Sequence, residues 1–84
     1  MRIKVIEIGR RFEKNYKKLP YSVKKIAKEK EYVFRENPFD PRLETHKLHG
    51  KEKELWSFSI TRSHKIKFIF LKEGGCFVSR CGYS

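Results

Sequence analysis

The chain has 84 residues with 21 Lys or Arg against 10 Asp or Glu, a formal charge of +11, and it is 38 % hydrophobic and 14 % aromatic. That length makes one domain, residues 1–84, with a small core and no deep enclosed cavity for a large cofactor, and the composition is too apolar for a disordered basic tail. Residues 1–42 carry +7 (13 basic, 6 acidic) and residues 43–84 carry +4 (8 basic, 4 acidic), so the basicity is general and points to a polyanionic partner: nucleic acid, an acidic protein, or both in turn.

Residues 2–8, with Ile3, Val5 and Ile8 alternating against charged neighbours, read as a first strand ended by Gly9. From Arg10 to Leu19 the positions Phe12, Tyr16 and Leu19 make one helical stripe. After Pro20, Ser22 is a candidate cap for a second helix whose buried face is Val23, Ile26, Ala27, Lys30 (through its aliphatic stem), Val33 and Phe34, and which stops near Asn37-Pro38. Residues 37–54 read as a long ordered loop, or a loop with one short strand, anchored by Phe39, Leu43 and Leu48.

From Trp56 the period changes to two. Trp56, Phe58 and Ile60 point to a core, while Ser57, Ser59 and Thr61 are expected on an open face. Ile66 to Leu71 reads as a central strand, Glu73-Gly74-Gly75 as a tight turn, and Cys76 to Cys81 as a last strand. An odd separation puts Cys76 and Cys81 on opposite faces of that strand, so no bridge between them is expected. Free thiols and the absence of an apolar run of membrane length suit the cytoplasm and predict no membrane partner. The expected fold class is α+β: an N-terminal strand, a two-helix antiparallel hairpin, and a small, mainly antiparallel sheet completed by three C-terminal strands.

The chemistry-bearing residues cluster outside the helices. Thr45 to Lys53 holds His46, Lys47, His49, Lys51 and Lys53, followed by Arg62, His64, Lys65 and Lys67 and then Arg80 and Tyr83. Cleaving RNA without a metal needs a base for the ribose 2′-hydroxyl, cations for the phosphate as charge builds, and an acid for the departing 5′-oxygen. Imidazole, with an ordinary pKa of about 6.5, serves either proton role, and Lys and Arg supply the cations. Each piece also has a plain reading: solvated loop histidines, a charged helix face that only keeps the chain soluble, and Trp56 and Phe58 as core. A zinc site from His46, His49, Cys76 and Cys81 fits by count only, since H-x2-H and C-x4-C match no usual structural spacing. No cofactor and no metal are expected.

The run from Asp40 to Lys51, then Leu55-Trp56-Ser57-Phe58-Ser59-Ile60-Thr61 and His64-Lys65-Ile66-Lys67-Phe68, resembles the RelE/ParE toxin superfamily, especially its RelE, YafQ and YoeB-like branches, over nearly the whole chain. The resemblance implies a toxin of a type II toxin–antitoxin pair, an endoribonuclease cutting mRNA in the ribosomal A site. It also implies neutralisation by an acidic antitoxin in a hetero-oligomer. Residue by residue, His46 stands where the YafQ-like branch has a catalytic histidine, His64 where that branch has an aspartate, and Lys65 where the YoeB-like branch has a phosphate-contacting arginine. Arg80 and Tyr83 stand near a phosphate-binding arginine and an aromatic, and Lys51 and Lys53 near lysines of the RelE branch. The implied catalytic set is His46, His64, Lys65, Arg80 and Tyr83, with Lys47, His49, Lys51, Lys53, Arg62 and Lys67 gripping RNA. Relatives carry a further catalytic histidine after the last strand, where this chain has Gly82 or Ser84 depending on register. That departure keeps open a non-catalytic member of the fold, a ParE-like inhibitor of DNA gyrase or a toxin that only binds antitoxin, and a general RNA-binding module.

Overall fold

A computed structural model of the chain describes residues 2–83, the side chain of Tyr83 excepted. Strand β1 (Val5–Ile8) leads into helix α1 (Arg10–Lys17) and helix α2 (Tyr21–Glu36), and then strands β2 (His46–Lys47), β3 (Trp56–Ser59), β4 (His64–Phe70) and β5 (Gly75–Tyr83). Short 3₁₀ turns at Pro41–Leu43, Gly50–Glu52 and Lys72–Gly74 join them. The strands form one sheet in the order β1-β5-β4-β3-β2, in which β1 runs parallel to β5 and the remaining pairs are antiparallel. The α+β class and the element order are those expected, with β2 as the short strand in the long loop.

Several boundaries differ from the periodicity for local reasons. The first strand begins at Val5 because Ile3 is buried and its amide donates to Arg35 O at the end of α2, 2.8 Å away. Helix α2 starts two residues earlier than a Ser22 cap allows: Pro20 is the capping residue, and its carbonyl accepts from the amides of Val23 and Lys24. Proline has the fixed φ that precedes a first turn without strain. The stripe on α2 is as expected, with Val23, Ala27 and Phe34 buried, and Lys30 half-buried with its ammonium on Arg42 O at 3.0 Å.

Both helices serve one face of the sheet. Phe34 at its centre stacks on Phe58 at 4.6 Å and meets Phe68 edge-on at 4.9 Å, and Leu43, Ile60, Ile66, Cys76 and Val78 close the cluster. Three buried rings of this size dominate the energetics of so small a core, each contributing on the order of 2–3 kcal/mol by apolar burial. Trp56 is half-buried in a satellite of rings with Phe39 and Phe70, a packing role rather than a free stacking platform.

Two departures set up the opposite face. Cys76 and Cys81 are both buried in the core, and the expectation of opposite faces is overturned. The cause is a β-bulge: Lys67 pairs with Arg80 and Phe68 with Val78, leaving Ser79 as the extra residue. One inserted residue reverses the alternation beyond it, so positions 76, 78 and 81 face inward and Arg80 turns out. The thiols are unbridged, and burial pushes both up to about 11. The second departure concerns β1, which ends opposite Val78, so the far half of β5 has α1 beside it instead of a strand. There Asn15 Oδ1 accepts the Cys81 amide at 3.3 Å.

Candidate RNA-binding face

The sheet register builds the site. His46 pairs with Ser57, Ser57 with Lys67, and Lys67 with Arg80, so these four residues form a row across β2, β3, β4 and β5 on the face turned away from the helices. The row spans three strand spacings, about 14 Å. A second row beside it holds Ser59, Lys65 and Gly82. Three of the expected site residues, His46, Lys67 and Arg80, therefore come together directly, and Lys65 stands one step away.

The hydroxyl face expected to lie open is instead closed over. Ser57 and Ser59 are 2 % and 5 % exposed, and Lys65 Nζ donates to Ser59 Oγ at 2.8 Å. Serine is the right size here because the lysines opposite are long: their stems cover the small side chains and carry the charge outward. What solvent meets is a layer of ammonium and guanidinium tips.

His46 is exposed, and its Nδ1 lies 3.0 Å from Glu44 O. A carbonyl only accepts, so Nδ1 carries the hydrogen and the neutral ring presents Nε2 as a proton acceptor. Glu44 reaches this place through a left-handed backbone, φ 52°, at the end of the Pro41–Leu43 turn. Asp40 caps that turn by accepting from the Arg42 amide at 2.9 Å, and the Arg42 guanidinium on the same carboxylate holds Asp40 down to about 2.

Lys67 is already engaged. Its ammonium lies 2.8 and 3.1 Å from the two Glu52 oxygens, and this bond, with the field of Arg80 added, holds the Glu52 carboxyl below the usual carboxylate range. Glu52 is a residue to which sequence reasoning gave no role among its lysine neighbours. Nor did it give one to Arg11 and Asn15 of α1, which join Lys65, Lys67, Arg80 and Gly82 around a cleft of about 350 Å³ at the β5 end of the row. Gly82 has φ 151°, a conformation only glycine adopts without strain, and the space above it is open.

Other expected residues do not converge. His64 is 7 % exposed and shares the face of Ile66 and Phe68, opposite to His46, with Nδ1 3.0 Å from Thr61 Oγ1. It lies at the turn between β3 and β4, where Thr61 Oγ1 also accepts the amides of Ser63 and His64. Lys47 pairs with Trp56 and so lies on the face opposite His46, and Arg62 is exposed in the turn. His49, Lys51 and Lys53 are exposed around the Gly50–Glu52 turn, beside the row rather than in it. The role expected of the Tyr83 side chain lies outside the described residues. Among the described residues no group of three or more His, Cys, Asp or Glu is disposed to hold a metal ion, and no helix is long and apolar enough to cross a membrane.

No family model and no curated protein matches the chain by sequence. Its structure is similar to that of a YoeB/ParE toxin from Agrobacterium tumefaciens, with a TM-score of 0.80 and 15 % identity over 96 % of this chain and 99 % of that one. It is also similar to a chain of the toxin–antitoxin complex RelBE2 from Mycobacterium tuberculosis (TM-score 0.77, 12 % identity, 95 % and 96 % covered). YafQ from E. coli strain BL21(DE3) follows at 0.73 and 18 %, with 94 % and 91 % covered. From β1 to β5, the chain has the fold of these toxin structures.

Proposed function

We propose that the chain is the toxin of a type II toxin–antitoxin pair and that it cuts mRNA on the ribosome, using the row His46, Ser57, Lys67 and Arg80 as its active face. The observation that carries this reading is a histidine with its acceptor nitrogen turned outward by Glu44 O, in line with two cations of the same sheet face. In the proposed step His46 Nε2 takes the proton of a ribose 2′-hydroxyl. The 2′-oxygen then bonds to phosphorus while the bond from phosphorus to the 5′-oxygen breaks, giving a 2′,3′-cyclic phosphate and a 5′-hydroxyl. Arg80 and Lys67, the latter once the phosphate takes the place of Glu52, offset the charge that builds on the phosphoryl oxygens, and the Lys65 ammonium gives the departing oxygen its proton.

A polyanion is the natural ligand of a +11 chain, and an acidic antitoxin is its natural inhibitor. The mycobacterial neighbour was solved as a toxin–antitoxin complex, which supports a partner of that kind here. The test is expression in a bacterium with mapping of mRNA 5′ ends. Wild type should arrest growth and cut mRNA, while His46→Ala should cut about a hundred- to ten-thousand-fold more slowly, the usual worth of a positioned acid or base. Equal cleavage by both forms, or none by either, would remove the reading. Intact mRNA with gyrase-dependent DNA breaks would favour a gyrase inhibitor on the same fold.

A further inference from the structure

The cleft at the β5 end of the row is larger than the cleavage chemistry needs. Its floor is β4 and β5, through Lys65, Lys67, Arg80 and Gly82, and its wall is α1, through Arg11 and Asn15. Helix α1 stands there because β1 stops at Ile8 and leaves the second half of β5 without a strand beside it. The polar side chains lining the cleft all present donors. Asn15 lines the cleft, and its Oδ1 accepts the Cys81 amide, which leaves the Asn15 NH₂ as the group with hydrogens to donate. Among the described residues, Arg11 and Arg80 form no ion pair, and the carboxylate at this end of the row is Glu52, on Lys67.

Resting on the RNA-cleaving reading above, we infer that Arg11 and Asn15, together with Arg80, form a second phosphate subsite. It holds the nucleotide next to the scissile one, on the side away from His46. The order of the elements gives the direction: a strand of RNA with its reacting phosphate between His46 and Lys67 continues across Arg80 onto α1. The anchor of Asn15 on Cys81 fixes the helix against β5, so the guanidinium of Arg11 is offered from a set position rather than from a free surface helix. Arginine suits this work because its planar fork binds phosphate oxygens in pairs.

The test uses the full chain and fluorescently labelled 2′-O-methyl RNA, which has no 2′-hydroxyl to react, in anisotropy titrations between 50 and 200 mM salt. One phosphate contact to a single strand contributes about 0.7 to the slope of log affinity against log salt. Arg11→Ala should bind a hexanucleotide about fivefold to tenfold more weakly at 50 mM salt and lose about 0.7 of slope. It should bind a dinucleotide, whose single phosphate the row itself occupies, as wild type does. Asn15→Asp keeps an oxygen for the Cys81 amide and puts a negative charge into the subsite, so its loss should be larger. Lys28→Ala, which removes an exposed cation of α2, is the control.

An Arg11→Ala curve that coincides with that of Lys28→Ala overturns the subsite, as does a loss of equal size on the dinucleotide. Arg80→Ala then separates the two claims. If it weakens binding while Arg11→Ala does not, the row stands and the subsite falls, and if neither variant weakens binding, the RNA reading falls with it.

Discussion

The ion pair between Lys67 and Glu52 makes an unusual prediction, that removing a charged residue improves binding to the proposed ligand. Glu52 sits where a phosphate oxygen would sit, at 2.8 Å from the Lys67 ammonium and within the field of Arg80. While it stays there, Lys67 is neutralised from within, and the cations of the two rows free to displace counterions from RNA are Lys65 and Arg80. Glu52→Gln keeps the side-chain shape and releases a third. With about 0.7 of salt slope per single-strand phosphate contact, the contribution of these cations rises from about 1.4 to about 2.1. If the two binding curves meet near 1 M salt, the variant binds about eightfold more tightly at 50 mM and about threefold more tightly at 200 mM. Anisotropy titrations with uncleavable RNA at four salt concentrations measure both numbers. Equal slopes, or weaker binding by Glu52→Gln at low salt, would show that Lys67 does not face RNA and that the row is misassigned.

Phe34→Ala removes a ring packed at 4.6 and 4.9 Å on two others and should cost about 3–5 kcal/mol, readable as a drop in the urea midpoint at unchanged slope. At Gly9 a Cβ would come 2.7 Å from the Phe77 ring and 3.1 Å from Val78 O. Gly9→Ala should therefore lower stability by about 1–3 kcal/mol, or roughly 4–24 °C in melting temperature, and an unchanged melt would refute that close approach. The buried thiols give a pH dependence. Folding raises both to about 11, so the stability they contribute is complete below the unfolded thiol's pKa of about 8.5 and drains away as pH climbs to about 11, because only the unfolded chain ionises in that window. The stability difference between wild type and the double variant Cys76→Ala, Cys81→Ala should shrink from pH 8 to pH 10.5, and native protein at pH 8 should react slowly with a thiol reagent.

How far the sequence could be read depended on whether a residue's place is set by its own strand or by another one. The α2 stripe from Val23 to Phe34 and the alternation from Trp56 to Ile60 are local patterns, and both elements lie where those patterns put them. His64 follows the same alternation, and counting inward from Ile66 and Phe68 was enough to place it in the core and away from His46. Arg80 needed one further step. The apolar positions Cys76, Val78 and Cys81 are spaced two and then three apart, and the slip marks the bulge at Ser79 that turns Arg80 outward. No local pattern announces Arg11, because its approach to Lys65 and Lys67 depends on where β1 ends and on what lies beside the second half of β5. Likewise the hold of Glu52 on Lys67 joins residues fifteen positions apart through a loop whose path the sequence does not specify.

Helix α1 contributes no fully buried residue, and its apolar contacts are the half-buried Phe12 and Tyr16. Its two sides border chambers of opposite polarity: the cation-lined cleft on one, and on the other an apolar hollow of about 290 Å³ among Ile6, Phe12, Tyr16, Phe34 and Val78. With so little buried surface, the helix owes its place to Phe12, Tyr16 and the bond from the Cys81 amide to Asn15. A ligand in either chamber would therefore touch the same eight-residue helix, through Phe12 and Tyr16 on one side and Arg11 and Asn15 on the other.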